Sequence, residues 1–351
     1  MIPYFVLGIF ISVIGFLSEY SKKEKFLTII FILILLFSGL RGDFTIDYKN
    51  YQNIFYYVQS NTLDVVLNTQ GSQEIGFILF TKLFTIIGSV KLYMFTISSI
   101  TMFLIWDFFK KKSLIPWISI ILFVGLGSYY TSFNISRAIL AVSVITLAYD
   151  YLENGCFFKY ILIVLLASFF HTTALIMIPF YFILRIKWRK THLFILILIS
   201  IFILLRIDLF INLAYTILPK YSVYSNNSYG MQGGSIGNAI IPLFSLILIY
   251  FGIFVLGGFK RMDMFNVENI ILFNCCYFYL FFGLASLKVY MMIRFTYYFE
   301  IYVWIFIAKL ISQMSKTNKL IVELLIIIIC LIVPIYLLKG TGYDPFYFIW
   351  R

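Results

Sequence analysis

The chain has 351 residues, of which 62% are hydrophobic and only 12% charged, with 40 Phe and 27 Tyr. Such a composition excludes a soluble globular enzyme and a nucleic-acid module. The net charge of +12 is explained by basic residues gathered in short turns between apolar runs, the pattern that orients membrane helices.

Apolar runs of roughly 15 to 20 residues recur from end to end, each about the length that crosses a bilayer core as a helix. The expectation is an all-α polytopic integral membrane protein, 1–351 forming one membrane domain of about 10–12 transmembrane or membrane-embedded helices. The first run, Ile2–Leu17, lacks a basic leader and a small-residue cleavage site and reads as a retained span. A basic turn follows, then a second span over 26–40. The polar segment 41–74 is the first of two large loops, and its middle, Tyr48–Leu67, reads as one interfacial amphipathic helix.

Runs at 75–88 and 91–108 lead to Lys110-Lys111-Lys112, and spans at 114–130 and 138–151 flank the turn containing Arg137. The run 158–184 is long for one span, and His171 lies at its middle. Spans at 191–205, 239–257, 268–287, 295–311 and 320–338 complete the chain, with a second large loop at 206–238. If the basic turns at 22–25, 110–112, 185–190, 260–261 and 316–319 face the cytoplasm, segments 41–74, 131–137, 206–238, 288–294 and 339–351 face outward. That layout requires one of the runs 75–88 and 91–108 not to cross. It also requires 158–184 to bend back near His171; a single tilted span is the alternative.

Under this layout Arg41, Asp43, Asp47, Glu74, Arg137, His171 and Arg294 share the outer end of the bundle. Charges in membrane segments are costly and face a cavity, a partner or a ligand. Arg41, Arg137 and Arg294 suit a diphosphate, because the guanidinium makes two parallel charge-assisted hydrogen bonds and stays protonated when desolvated. Structural ion pairing with Asp43, Asp47 and Glu74 is the competing reading, and the two are compatible. Asp47, Asp43, Glu74 and His171 are the candidate general bases, with no choice among them. Tyr48, Tyr51, Tyr221 and Tyr224 are candidates for stacking on sugar rings, against an ordinary interfacial tyrosine belt. Cys156, Cys275, Cys276 and Cys330 form no CxxC, and no GxxxxGK[ST], HExxH or Asp-x-Asp occurs. The expected chemistry uses no cofactor and no metal, and draws on a lipid-linked rather than a nucleotide-linked donor.

SGLRGDFTIDYKNY (38–51), QEIGFILF (73–80), FNISRAILAVSVITLAYDYL, LLASFFHTTALIMIPFYFI, MIRFTYYFE (292–300) and YDPFYFIW, in that order, resemble the EpsG family of bacterial polysaccharide-synthesis membrane proteins. Ile46 stands where that family commonly has Gly, and Ala138 where Gln often follows the Arg. The resemblance implies a Wzy-type polymerase of O-antigen, capsule or exopolysaccharide in the bacterial plasma membrane, with its site facing outward. The substrate it implies is an undecaprenyl-diphosphate-linked oligosaccharide in the bilayer. A chain-length regulator and a flippase are candidate partners, and nucleic acid is not expected. Arg137 and Arg294, with Arg41, would hold the diphosphates, and direct displacement would invert the anomeric centre. A flippase of lipid-linked sugar and a surface-glycan ligase are the alternatives. The chain has no internal repeat of the kind transporters carry.

Overall fold

The computed structural model describes residues 1–69, 73–126, 128–187, 190–209, 212, 216, 234, 236–256, 266–339 and 341–350. The described residues are overwhelmingly α-helical. In chain order the helices are α1 (Ile2–Ser21), α2 (Lys25–Gly39), α3 (Ile46–Ser60), α4 (Leu63–Thr69), α5 (Ile75–Thr85) and α6 (Val90–Lys112). There follow α7 (Pro116–Gly125), α8 (Ser128–Thr131), α9 (Ser136–Ile145), α10 (Tyr149–Glu153), α11 (Phe157–Phe170) and α12 (Met177–Leu184). The remainder are α13 (Lys190–Leu205), α14 (Gly237–Val255), α15 (Val267–Ala285), α16 (Ile293–Ser312) and α17 (Lys316–Leu338). Among the described residues, six helical segments are long and apolar enough to cross a membrane, beginning at Ile2, Val90, Gly237, Val267, Tyr290 and Lys316. Shorter apolar helices accompany them. The chain is thus the all-α, multi-pass membrane protein its composition leads one to expect.

Two compact units can be distinguished, Met1–Ile178 with Ile307–Arg351, and Pro179–Phe306. In the first unit, ion pairs sort the loops into two ends. Glu24 meets Lys110 at 2.9 Å, Lys112 pairs with Asp150, and Glu19 pairs with Lys319 while accepting from Trp117 Nε1 at 2.6 Å. At the other ends of α1, α2 and α6, the Met1 amino group meets Asp344 at 3.1 Å, Ile349 N–H donates to Leu40 O at 2.9 Å, and Lys91 reaches Ile349 O. The basic turns at 22–25, 110–112 and 316–319 therefore gather at one end, and 41–47, 134–137 and 341–350 at the other. This is the grouping the charge pattern anticipates for this part of the chain.

Helix α5 has 11 residues, roughly 16 Å of rise and about half of a bilayer core of ~30 Å, whereas α6, with 23 residues, is long and apolar enough to cross. The 158–184 run breaks at His171, whose backbone is extended (φ −156°, ψ 116°), and a 3-10 turn follows over Thr172–Ile176. Tyr160, in the first turn of α11, donates its hydroxyl to Met177 O at 2.9 Å. Residue 177 has thus come back alongside the start of the helix, and the run turns back on itself near His171. One expectation needs correction. The Tyr48–Leu67 helix is two, because the chain extends at Asn61 (φ −121°, ψ 157°) before α4 begins.

In the second unit, Asn274 Nδ2 donates to Leu184 O and Ile186 O at 2.9 and 3.0 Å, satisfying carbonyls that α12 leaves open at its C-terminus. Phe180, Phe278, Phe282 and Phe299 pack ring on ring beside them. Buried Glu300 accepts from Trp304 Nε1 at 3.0 Å on α16. The expected basic turn at 260–261 and most of the loop 206–238 lie outside the described residues.

Candidate functional site

Three chain segments with irregular backbone meet where α5, α9 and α11 begin or end. Glu74 is the extended residue that precedes α5, Arg137 lies in the first turn of α9, and His171 ends α11. Gly76 makes the meeting possible. A Cβ there would stand 2.6 Å from Phe169 Cβ and 2.7 Å from Phe169 O, so α5 and α11 touch backbone to backbone.

The Glu74 carboxylate uses both oxygens. Oε2 accepts from Arg137 Nη1 at 2.8 Å. Oε1 accepts from His171 Nδ1 at 3.1 Å, from Thr172 N–H at 3.1 Å and from the Thr172 hydroxyl at 3.3 Å. It thereby caps the 3-10 turn that follows His171, and the Nδ1 of His171 carries the proton in this contact. Burial by itself raises the carboxyl pKa. The His171 hydrogen bond, the Arg137 charge and the Thr172 N–H outweigh it and hold the group at about 2, against an ordinary 4.5. Glu74 is an anion at any physiological pH, which makes it an orienting group and a poor proton acceptor.

Arg137 occupies a position that disfavours it, since a cation in the first turn of a helix opposes the macrodipole. Glu74 offsets this. Arg137 Nη1 also donates to Gln73 Oε1, its guanidinium lies 5.1 Å from the Phe77 ring and 6.0 Å from the Tyr51 ring, and its backbone N–H points to the Tyr51 hydroxyl. The side chain remains 22% exposed. The exposed edge lines a cavity of about 340 Å³ together with Asp47, Asn50, Tyr51, Asn53, Ile54 and Gln73.

The opposite wall is α3, whose period explains both of its faces. Tyr48, Tyr51, Phe55 and Val58 recur at helical spacing and are buried. All but Val58 join Phe77, Tyr93, Met94, Ile97 and Leu140 in one apolar cluster beneath the site. Asp47, Asn50 and Ile54 follow one another on the adjoining stripe and face the cavity. Asn134 sets the register, for its Oδ1 accepts from Asp47 N–H at 3.0 Å. The Asp47 carboxylate accepts only from Asn50 Nδ2, at 3.1 Å, and makes no ion pair among the described residues.

Arg41 is placed differently. It is 1% exposed and absent from the cavity lining. Its donors go to Ser38 O, to Ser98 Oγ at 2.6 Å, and at 3.4 Å to Phe133 O and Ser136 Oγ, with the Phe133 ring 5.1 Å away. Burial lowers its pKa to about 10, so it stays charged at neutral pH. No carboxylate meets it among the described residues. It ties the end of α2 to α6 and to the turn that launches Arg137. Asp43 instead accepts from the Tyr347 hydroxyl at 2.8 Å.

The structure thus brings Asp47, Tyr51, Glu74, Arg137 and His171 together, and sets Arg41, Asp43 and Tyr48 behind them or to one side. Arg294 lies in the first turn of α16, in the other unit, with no ion pair among the described residues. Tyr221 and Tyr224 lie outside the described residues. Sequence reasoning passed over Gln73, Asn50, Asn134 and Thr172. Gln73 is legible after the fact as the neighbour of Glu74, whereas Asn134 and Thr172 act through geometry that no spacing announces.

A comparison with known families matches EpsG over residues 24–347, a range that contains every residue of the cavity. The chain belongs to the EpsG family. The EpsG proteins are polysaccharide-polymerase-like membrane proteins, and membership supports a role of that kind here. No curated protein and no solved structure matches the chain.

Proposed function

We propose that this EpsG protein joins polyprenyl-diphosphate-linked oligosaccharide repeat units on the outer face of the plasma membrane. The growing chain passes from its lipid diphosphate to the hydroxyl of a new lipid-linked repeat unit. The observation that carries this reading is that Arg137 and Asp47 line one cavity, a fixed cation and a carboxylate with no ion pair among the described residues facing the same space. In the transfer, the bond between the anomeric carbon and the phosphate oxygen breaks and a glycosidic bond forms. Asp47 takes the proton of the attacking hydroxyl, and the electron pair leaves on the diphosphate, where Arg137 stabilises the developing charge. Direct displacement of this kind inverts the anomeric centre, and the guanidinium supplies the positive charge without a metal.

Glu74 and His171 serve as orienting groups. Glu74 is fully engaged by Arg137, His171 and Thr172, and a carboxyl held at about 2 is a weak base. Tyr51 is buried in the floor of the cavity and supports Arg137 through its ring and hydroxyl.

The test is the glycan ladder of cells carrying Arg137→Ala, with insertion of the variant checked by immunoblot of membranes. A product reduced to one repeat unit on its carrier is expected. A ladder of normal length would remove Arg137 from the mechanism. Loss of all outward glycan with lipid-linked units accumulating inside would replace polymerase with flippase.

A further inference from the structure

A second cavity, about 200 Å³, lies along the same helix α3 and takes no part in the chemistry above. Its walls include Tyr48, Tyr347 and Phe348, with Asp43, Gln52 and Lys91 as the polar groups. Tyr48 and Gln52 lie on a stripe of α3 next to the one that carries Asp47, Asn50 and Ile54. One helix therefore separates the two spaces.

This wall is built, not incidental. Gly42 N–H donates to Tyr347 O at 2.8 Å and Ile349 N–H to Leu40 O at 2.9 Å, which clamps residues 347–349 against 40–42. A Cβ on Gly42 would overlap the Tyr347 ring, so the tyrosine lies directly on that backbone. The Tyr347 hydroxyl donates to Asp43 Oδ1, which leaves Oδ2 to accept from a ligand. Phe346 stacks on Phe37 at 4.2 Å and anchors the segment from below.

The lining decides the class of ligand. The cation in this lining is the compact ammonium of Lys91, which already reaches Ile349 O, whereas a diphosphate is better matched by the guanidinium fork of Arg137. A polar cavity of this size also excludes an isoprenoid tail. Aromatic rings beside a carboxylate, an amide and an ammonium are what a neutral sugar needs, since the rings take its C–H face and the polar groups its vicinal hydroxyls.

We infer that this cavity is a saccharide subsite, binding a sugar of the repeat unit one or more residues away from the transferring bond. The inference rests on the polymerase reading in taking a glycan as the ligand. It assigns Gln52, Lys91 and the 347–348 wall to glycan recognition, apart from catalysis at Arg137.

The test uses the full-length protein in lipid nanodiscs and, as probe, sized oligosaccharides released by mild acid from the polymer of the same cells, free of lipid and phosphate. Saturation-transfer NMR titrations give Kd for wild type, Gln52→Ala, Asp43→Asn and Arg137→Ala. Gln52 makes no hydrogen bond among the described residues, so its truncation leaves the fold intact; Asp43→Asn keeps an acceptor for Tyr347. Equal Kd for wild type and Arg137→Ala, with Gln52→Ala and Asp43→Asn each weaker by roughly tenfold, is expected. No binding to wild type, unchanged Kd in both cavity variants, or loss of binding in Arg137→Ala would overturn the inference. The ladder of Arg137→Ala cells reports on the polymerase reading separately. An intact ladder alongside Gln52-dependent binding would defeat that reading and leave the subsite standing.

Discussion

Glu74 Oε2 and Arg137 Nη1 stand 2.8 Å apart, joining the residue before α5 to the first turn of α9 across 63 positions of chain. The same carboxylate holds His171 through its other oxygen. A single acid therefore fixes the one cation of the cavity and the end of α11 together.

Glu74→Gln keeps the shape of the side chain and removes its charge. The hydrogen bonds it makes to charged and backbone donors are each worth about 1–3 kcal/mol, and partial exposure places the total toward the low end of what a buried pair would give. A lower Tm for the purified protein is expected, with the ladder shortened because Arg137 loses its rest position. An unchanged ladder would make the pair purely structural.

The pH dependence follows from the same group. The carboxyl is held at about 2 in the folded protein against 4.5 ordinarily, so its stabilising contribution is complete above about 4.5 and disappears as pH falls through 2. The Tm difference between wild type and Glu74→Gln should be constant from pH 7 to 5 and shrink steadily below 4.5. A difference that stays constant down to pH 3 would show that Glu74 does not carry this linkage.

Asp47→Asn should separate chemistry from folding. Asp47 is half-buried and held by Asn50 and Asn134 through contacts that asparagine can largely keep. The Tm should match wild type, while turnover of a lipid-linked repeat unit falls by roughly 10²–10⁴, the usual contribution of a positioned base. Retained turnover would return Asp43 and His171 to consideration.

Gly76→Ala pushes a methyl group into Phe169, at 2.6 and 2.7 Å from its Cβ and carbonyl oxygen. Overpacking of this kind costs about 1–3 kcal/mol, and here it also separates Glu74 from His171. Reduced Tm and reduced polymer length should appear together. Restoration of both by Phe169→Ala would not be expected, because the backbone oxygen still blocks the methyl group.

Much of this architecture is legible in the sequence because a bilayer leaves a helix few alternatives. Long apolar runs became helices, and basic turns at 22–25, 110–112 and 316–319 gathered at one end as charge asymmetry requires. The partnership of Arg137 with Glu74 was among the pairings that charge alone suggested. Other features were hidden for physical reasons. An Arg outside an apolar run reads the same whether it faces a cavity or, like Arg41, is consumed by carbonyls and serines. The choice among Asp43, Asp47 and Glu74 turns on which of them is already engaged, and Tyr347 and His171 approach from far along the chain to engage two of them. The break between α3 and α4 falls at Asn61-Thr62, where no Pro or Gly marks it.

The clamp between residues 40–42 and 347–349 also bears on how the protein is made. The segment that closes the wall beside α3 is synthesised after α17, whereas the segment it closes against precedes all but two of the helices. A ribosome that stops after α17 would release a chain with every described helix in place and that wall missing. Such a product would pass membrane insertion and escape the proteases that recognise exposed apolar spans. Nonsense mutations between 341 and 347 are therefore expected to yield abundant, well-inserted protein that handles glycan poorly, a defect visible in the polymer and invisible on a blot.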